Sequence, residues 1–585
     1  MASQQLSAGG PGGLHACARY TRDRVHSATQ LLRSAMSTNR RQLEPSVTDR
    51  LAQRIAATKL GRKTAQYLAE LRTRRVPLHW TNMFGVVSAA CLLVIFVTGF
   101  FLMFFYTPST ASVVYKGSYS PLHGATVSEA YNSTLAISFE LRGGLLIRQA
   151  HHWAALLLPA SLILQMLVMF FTGAFRSPRR KNWVLLFSLL LVALVGGWSG
   201  YALPDDMLSG TGLRIVEGIV LSIPFVGTWL SSLLFGGQFP GQVIDHLYPI
   251  HIVVVPLLAM VLLAVRLRAA SREKPPQFPG AGRAENNVVG ISVWPGAATR
   301  AAGLLMIVMG LLFFVSAFFT VSPIWLSGPS SPGDAASGSQ PDWYTGFLDG
   351  ALRLVPPGWE INWLDHTWTL ALLIPLAVIG VFLGAVVLYP FFEQWISGDD
   401  DDHNLLDRPR NTPSRTGLGV AAITFYGSLW GAGSADIVAV QFQLSLESVI
   451  FFFRCLVIVG PFIAFIVTQR VCLALQKKDL ETLSHGYETG RIVRLPGGEY
   501  IEVHQPVASY ERPGLVNTSQ RMALRAHPDA HGHIGPVTRF RAALSRFFFE
   551  NRSARTDQHD GQPGVKSLDW IDDPTTLKEP ANRDH

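Results

Sequence analysis

Of 585 residues, 49% are hydrophobic and only 15% are charged, with a formal net charge of +9. That balance excludes an ordinary chain of several soluble domains and favours a membrane protein. The charged residues crowd into both ends and a few connecting stretches, so the positive balance belongs to the loops and does not call for a nucleic-acid partner.

Residues 1–78 read as a basic cytoplasmic segment, with no cleavable signal peptide evident, because the first apolar run begins only after Trp80. A spanning helix needs about 20 mainly apolar residues. Eight such runs follow, at 82–106, 149–172, 182–202, 247–267, 299–321, 367–390, 416–434 and 447–474. The expected fold class is therefore all-α, a polytopic membrane protein of about eight transmembrane helices. Its parts are a four-helix bundle over 79–275, a cytoplasmic loop at 276–298, a second membrane region over 299–474 and a cytoplasmic tail over 475–585. In the tail, 497–506 predicts a short hairpin and the remainder predicts disorder. The connections 107–148, 203–246 and 322–366 are rich in Gly, Pro and Ser with scattered aromatics, which predicts packed loops and short helices on one side of the membrane.

Orientation follows from the basic residues near the helix ends, since the cytoplasmic side of a plasma membrane protein accumulates Lys and Arg. Arg72, Arg74 and Arg75 precede the first run, Arg176, Arg179, Arg180 and Lys181 link the second and third, Arg266, Arg268, Arg272 and Lys274 close the fourth, and Lys477 and Lys478 follow the last. Both termini are thus expected in the cytoplasm and the three long loops outside. The acidic run Asp399–Asp402 reads as a solvated turn in a cytoplasmic loop. Cys17, Cys91, Cys455 and Cys472 form neither a CxxC pair nor a CxxCH attachment box, which argues against disulfide scaffolding and covalently attached haem.

Ionisable residues inside spans are costly and mark function by default. His151 falls about one turn inside the outer end of the second span, and His251 stands at the same depth in the fourth. Two neutral imidazoles at matching depth are what a low-spin haem needs. Glycines add an independent signal, because a porphyrin edge passes a helix closely only where no Cβ intervenes. Gly85 and Gly99 are 14 residues apart on one face of the first span, and Gly200 on the third span is level with Gly99. The inner counterpart of Gly200 is Leu186.

With these residues in view, the chain resembles the cytochrome b subunit of actinobacterial quinol:cytochrome c reductase. The resemblance rests on GGLLIRQAHHW at 143–153, GYALPDDMLSGTGLRI at 200–215, YPIHIVVVP at 248–256, QPDWYTGFLDGALRL at 340–354 and HGYETGRIVRLPGGEYIEVHQP at 485–506, and covers roughly 75–510. It implies an outer haem b between His151 and His251, with Arg148 facing a propionate, and a second haem nearer the cytoplasm. The inner pair departs from the pattern, since Gln165 and Arg266 stand where the resemblance calls for histidines. A protonated Arg offers no lone pair and Gln only a weak oxygen donor. With Leu186 in place of a glycine, one haem is expected, and Arg266 reads as a side chain snorkelling to the headgroups. His152 is expected to point about 100° from His151.

Pro341, Asp342, Trp343 and Tyr344 match the quinol-oxidation motif of that resemblance, with Asp342 as proton acceptor and Tyr344 as its hydrogen-bonding partner. His366 is a further candidate for carrying protons. The resemblance also implies menaquinol as substrate, a Rieske iron-sulfur protein and a cytochrome c subunit as partners, and a dimeric complex. Two readings remain: a redox subunit, favoured by His151, His251 and the motif at 341–344, and a non-catalytic scaffold within a respiratory assembly, favoured by Gln165, Arg266 and Leu186. A secondary transporter is disfavoured by the lack of paired midplane charges.

Overall fold

The computed structural model describes residues 58–549 apart from 238, 332, 334–339, 364–365, 517–522, 527 and 529–532. Most of the N-terminal segment and the last 36 residues therefore lie outside the described residues, and with them the disorder expected at the end of the tail. Two units divide the chain, Met1–Arg74 and Arg75–His585. In the first, a helix at Lys59–Thr73 begins at Thr58, whose hydroxyl accepts from the Gly61 amide.

The second unit is helical. In chain order its main helices are α1 (Trp80–Leu102), α2 (Gly144–Thr172), α3 (Arg180–Ala202), α4 (Val243–Arg272) and α5 (Val293–Phe318), then the short α6 (Gly346–Leu354). They are followed by α7 (Leu370–Ser397), α8 (Pro413–Gly433), α9 (Leu446–His485) and α10 (Pro536–Phe549). Among the described residues, seven helices are long and apolar enough to cross a membrane, namely α1 to α5, α7 and α9. The expected eighth crossing, α8, forms as a 21-residue helix but is too rich in glycine and polar residues to belong to that set. Its ends still reach opposite faces. Arg415 in its first turn pairs with Glu393 at the end of α7, and Gly433 at its other end lies against the Gly346 carbonyl in the outer loop.

Two boundaries move. The last span continues as helix to His485, so residues 475–485 belong to α9 and not to the tail. The hairpin pairs Tyr487–Arg494 with Tyr500–Gln505, so 497–506 supplies only its turn and one strand. The other runs fall where hydropathy placed them, to within a few residues.

The three long connections do pack together on one face, where they build short helices and hairpins. Tyr131 in the helix Glu129–Phe139 donates to the Ile324 carbonyl at 3.1 Å, and Ser330 N donates to the Asp205 carbonyl at 2.9 Å. This face also carries His151 and His251 and is called outer below. The opposite face is pinned by a buried ion cluster in which Arg415 meets Asp407 at 2.6 Å and Glu393 at 3.2 Å, and Arg176 meets Asp407 at 3.0 Å. Charges so enclosed hold the ends of α2, α7 and α8 together, because each needs its partner to offset lost hydration. In the acidic run Asp400, Asp401 and Asp402 are exposed, while Asp399 pairs with His403 at 2.9 Å.

One local irregularity matters for function. Within α4, residues Ile250–Val254 form a π turn in which the Val255 amide reaches back to the Ile250 carbonyl. Pro256 follows and has no N–H to continue the ordinary ladder. A π turn absorbs one extra residue, which accommodates the 15 residues from His251 to Arg266 against the 14 from His151 to Gln165.

α6 and α8 touch backbone to backbone, since a Cβ on Gly350 would run into the Leu429 carbonyl. Gly350→Ala is therefore expected to destabilise the purified protein by about 1–3 kcal/mol through overpacking. Gly380→Ala, where a Cβ meets nothing within 4 Å, should leave thermal stability in detergent unchanged.

Candidate functional site

His151 on α2 and His251 in the π turn of α4 face each other with ring centroids 6.2 Å apart and planes at 64°. Each Nδ1 is engaged by a hydroxyl, Thr98 of α1 at 3.0 Å and Ser199 of α3 at 3.1 Å. That leaves each ring one further nitrogen, Nε2, which could take a metal. Two metal–imidazole bonds of about 2 Å each and two ring radii of about 1.1 Å span roughly 6 Å, so the separation fits one metal ion between the rings.

In this structure the group that Gly99 and Gly200 make room for is the neighbouring histidine ring. A Cβ on Gly99 would lie 3.0 Å from His151 Cε1, and one on Gly200 would lie 2.6 Å from His251 Cε1. Arg148, one turn before His151, donates through Nη2 to the Ser322 carbonyl at 3.1 Å. Its Nη1 is buried with no partner among the described residues. Gln149 and Trp153 on the same helix hold the Val321 and Phe319 carbonyls, at 3.1 and 2.8 Å, which anchors the strand of chain leading to the next motif.

In that motif, Tyr344 is 1% exposed and donates to Asp342 Oδ2 at 2.7 Å. Burial beside the Asp342 carboxyl pushes the Tyr344 phenol well above its usual range. Its hydroxyl lies against Gly197 of α3, one turn from Gly200, so the phenol and the His251 ring occupy neighbouring notches on one helix. Trp343 donates to the Leu156 carbonyl at 3.2 Å, and its own carbonyl accepts from Trp430 at 3.0 Å. Pro341 precedes this turn in extended loop.

His152 was not singled out for function by its position in the sequence. It does turn away from the His151 ring, and the direction it takes brings Nε2 to 3.4 Å from Asp342 Oδ1. The adjacent pair His151–His152 was the available signal, since consecutive helical residues serve two different neighbours. Asp205 and Asp206, in the segment joining α3 to the next helix, were also passed over. Burial holds the Asp205 carboxyl up at about 6, and Asp206 is likewise raised by burial. His366 heads a strand that pairs with Glu360–Trp363, and its side chain is outside the described atoms.

The inner level is built differently. Gln165 sits beside Gly85, where a Cβ would be 3.5 Å from its Nε2, and its Oε1 is buried with no partner among the described residues. Leu186 is fully buried in the apolar core with Leu162, Met166 and Leu189. Arg266 Nε donates to Asn182 Oδ1 at 2.9 Å, across to the first turn of α3 at its inner end. An aromatic group of Phe170, Phe175, Trp183 and Tyr389 packs nearby, with Phe170 and Tyr389 centroids 4.7 Å apart.

Fold and site thus define a polytopic helical membrane protein with one converging imidazole pair at its outer face. Comparison with known proteins narrows that class. A family described as cytochrome b(N-terminal)/b6/petB matches residues 156–329. The cytochrome bc1 complex cytochrome b subunit of Streptomyces coelicolor is 44% identical over 508 residues, covering 86% of this chain and 93% of the relative. The subunit of the same name from Mycobacterium tuberculosis strain H37Rv is 43% identical over 446 residues, covering 75% and 80%. A solved structure titled hyperthermophilic respiratory Complex III shares the fold, at a TM-score of 0.55 and 18% identity over 72% of this chain and 99% of that one. The chain belongs to the family of cytochrome b subunits of the cytochrome bc1 complex.

Because Gly200 leaves so little room beside His251, Gly200→Leu is expected to displace that ring and to change the haem absorbance of the purified protein. Gly218→Leu, where a Cβ meets nothing within 4 Å, should leave the optical spectrum of the purified protein intact.

Proposed function

We propose that this chain is the cytochrome b subunit of a respiratory quinol:cytochrome c oxidoreductase that carries a single b-type haem, at the outer level. The observation that carries the reading is the pair of imidazoles, 6.2 Å apart, with both Nδ1 atoms engaged. His151 and His251 would hold the haem, Gly99 and Gly200 leave the rings room, and the unpartnered Nη1 of Arg148 suits a propionate. Haem b supplies a one-electron acceptor at this level when bound.

A hydroquinone releases two protons as it gives up two electrons, so its pocket needs acceptors for both. Asp342 accepts the proton of a quinol hydroxyl, and Tyr344 positions that carboxylate through its 2.7 Å hydrogen bond. His152, 3.4 Å away, is the next titratable group and relays the proton. Trp343 and Pro341 hold the turn. Menaquinol is the proposed substrate. A Rieske iron-sulfur subunit and a cytochrome c subunit are the proposed partners, in a dimeric complex of the plasma membrane with both termini in the cytoplasm.

The inner level does not suit a second haem. Gln165 and Arg266 cannot replace two imidazoles, and Leu186 fills the place of a glycine. The two levels are 14 helical residues apart, about 20 Å, so passage of an electron from the outer haem to the inner face has no support in these residues. That same observation favours the second reading, a structural paralogue that assembles with a respiratory complex without turning over.

Haem per chain, measured by pyridine haemochrome on the purified protein, separates these readings. One haem is expected, two would refute the inner-site argument, and none would favour the structural paralogue. In the triple variant Gln165→His, Arg266→His, Leu186→Gly, a second b-type signal is expected. Asp342→Asn should lower quinol oxidation by roughly 100-fold or more with the haem spectrum unchanged; an unaltered rate would remove Asp342 from the proton path.

A further inference from the structure

α10, the last described helix, has three distinct sides. Ala542, Ser545 and Phe549 are buried against the protein. On a helix of 100° per residue the opposite side carries Val537, Phe540, Leu544 and Phe547, spaced as one stripe, and Val537, Phe540 and Phe547 are 66%, 61% and 48% exposed. Between these sides stand arginines, Arg539 and Arg546 on one flank and Arg541 on the other, and the helix holds no acidic residue.

Its position explains the pattern. Arg541 lies over the Trp395 ring at 5.8 Å, in the last turn of α7. Phe548 meets Phe392 of α7, and Phe547 stacks on Phe465 of α9 at 5.7 Å and 14°. Ser414, in the first turn of α8, donates to the Phe547 carbonyl at 3.2 Å. The helix thus crosses the inner ends of three spans, level with Trp395. Phe547 of the stripe stacks on Phe465, and the residues flanking these contact points on α7 and α9, Phe391 at 45%, Phe462 at 69% and Ile466 at 49%, are exposed apolar side chains. In a membrane-spanning bundle such side chains face acyl chains.

We propose that α10 is an interfacial helix whose apolar stripe enters the inner leaflet and whose arginines bind anionic phospholipid headgroups. Apolar faces bounded by arginines are what this boundary selects: the stripe gains burial among acyl chains while guanidinium groups stay level with phosphate. Trp395 beside it is a side chain typical of the same depth. A protein partner would have to sit beside the exposed apolar side chains of α7 and α9, so the packing of Phe547 and Phe548 on those two spans favours lipid.

The test uses the whole complex in nanodiscs of phosphatidylcholine with or without phosphatidylglycerol, with Cys17 and Cys455 replaced by Ser. A nitroxide is attached at Phe540→Cys, with Val537→Cys as a second position. Val459→Cys in α9 serves as a lipid reference and Tyr500→Cys in the hairpin as a solvent reference. The labels at 540 and 537 are expected to respond to oxygen and to exclude water-soluble nickel chelate, as at 459. Phosphatidylglycerol should deepen them, and Arg539→Glu with Arg546→Glu should remove that dependence. Nickel access equal to that at 500 would overturn the proposal, as would closure to both reagents, which would mean a protein covers the stripe. A deepening that survives the double charge reversal would overturn the assignment of the arginines.

Discussion

Two imidazole rings held 6.2 Å apart by four different helices are the constraint on which the rest of this molecule turns. Each ring is fixed twice over, by a hydroxyl at Nδ1 and by a neighbouring glycine that leaves no slack around Cε1. Burying such rings in an apolar bundle is unfavourable unless their nitrogen atoms have partners. The hydroxyls of Thr98 and Ser199 satisfy one side, and what remains is one further nitrogen on each ring, which a metal centre between them could take. α1 and α3 contribute no ligand, yet their side chains and their missing Cβ atoms set the geometry.

The same helix ties the imidazole pair to the acid–phenol turn of the outer loop. Gly197 receives the Tyr344 hydroxyl and Gly200 receives the His251 ring, one helical turn apart. From α2, the consecutive residues His151 and His152 serve the two centres separately, the first facing His251 and the second facing Asp342. A substrate bound at the turn would therefore be positioned by the elements that position the rings. Coupling of this kind needs no moving part, only two rigid helices shared between neighbouring sites.

The asymmetry between the two levels has an equally local cause. At the outer level, small residues stand opposite rings. At the inner level, an amide, a guanidinium and a buried leucine occupy the corresponding places, each with its own role: Arg266 bonds to Asn182, Leu186 fills core and Gln165 lies beside Gly85. Around them the aromatic group of Phe170, Phe175, Trp183 and Tyr389 and the ion cluster of Arg176, Asp407, Glu393 and Arg415 close the inner face by packing and charge. One helical scaffold can thus support sites of unequal content at its two ends.

Much of this was legible before any coordinates, because a bilayer enforces long apolar helices and makes each polar residue within them conspicuous. The spans, the depth match of His151 with His251, the glycine spacing and the departures at 165, 186 and 266 are all one-dimensional signals. Less legible was α8, whose glycines lower its hydropathy because its neighbours approach too closely for side chains, and so was the real extent of α9. Only the tertiary structure decided which surfaces meet: that His152 reaches Asp342, that Arg266 turns sideways to Asn182, that a π turn absorbs the additional residue after His251, and that the arginines of α10 flank an apolar stripe. Periodicity along a chain reports the side of a helix on which a residue sits. The partner across the gap depends on how helices far apart in sequence are rotated and translated against one another, and that is a property of the packed bundle alone.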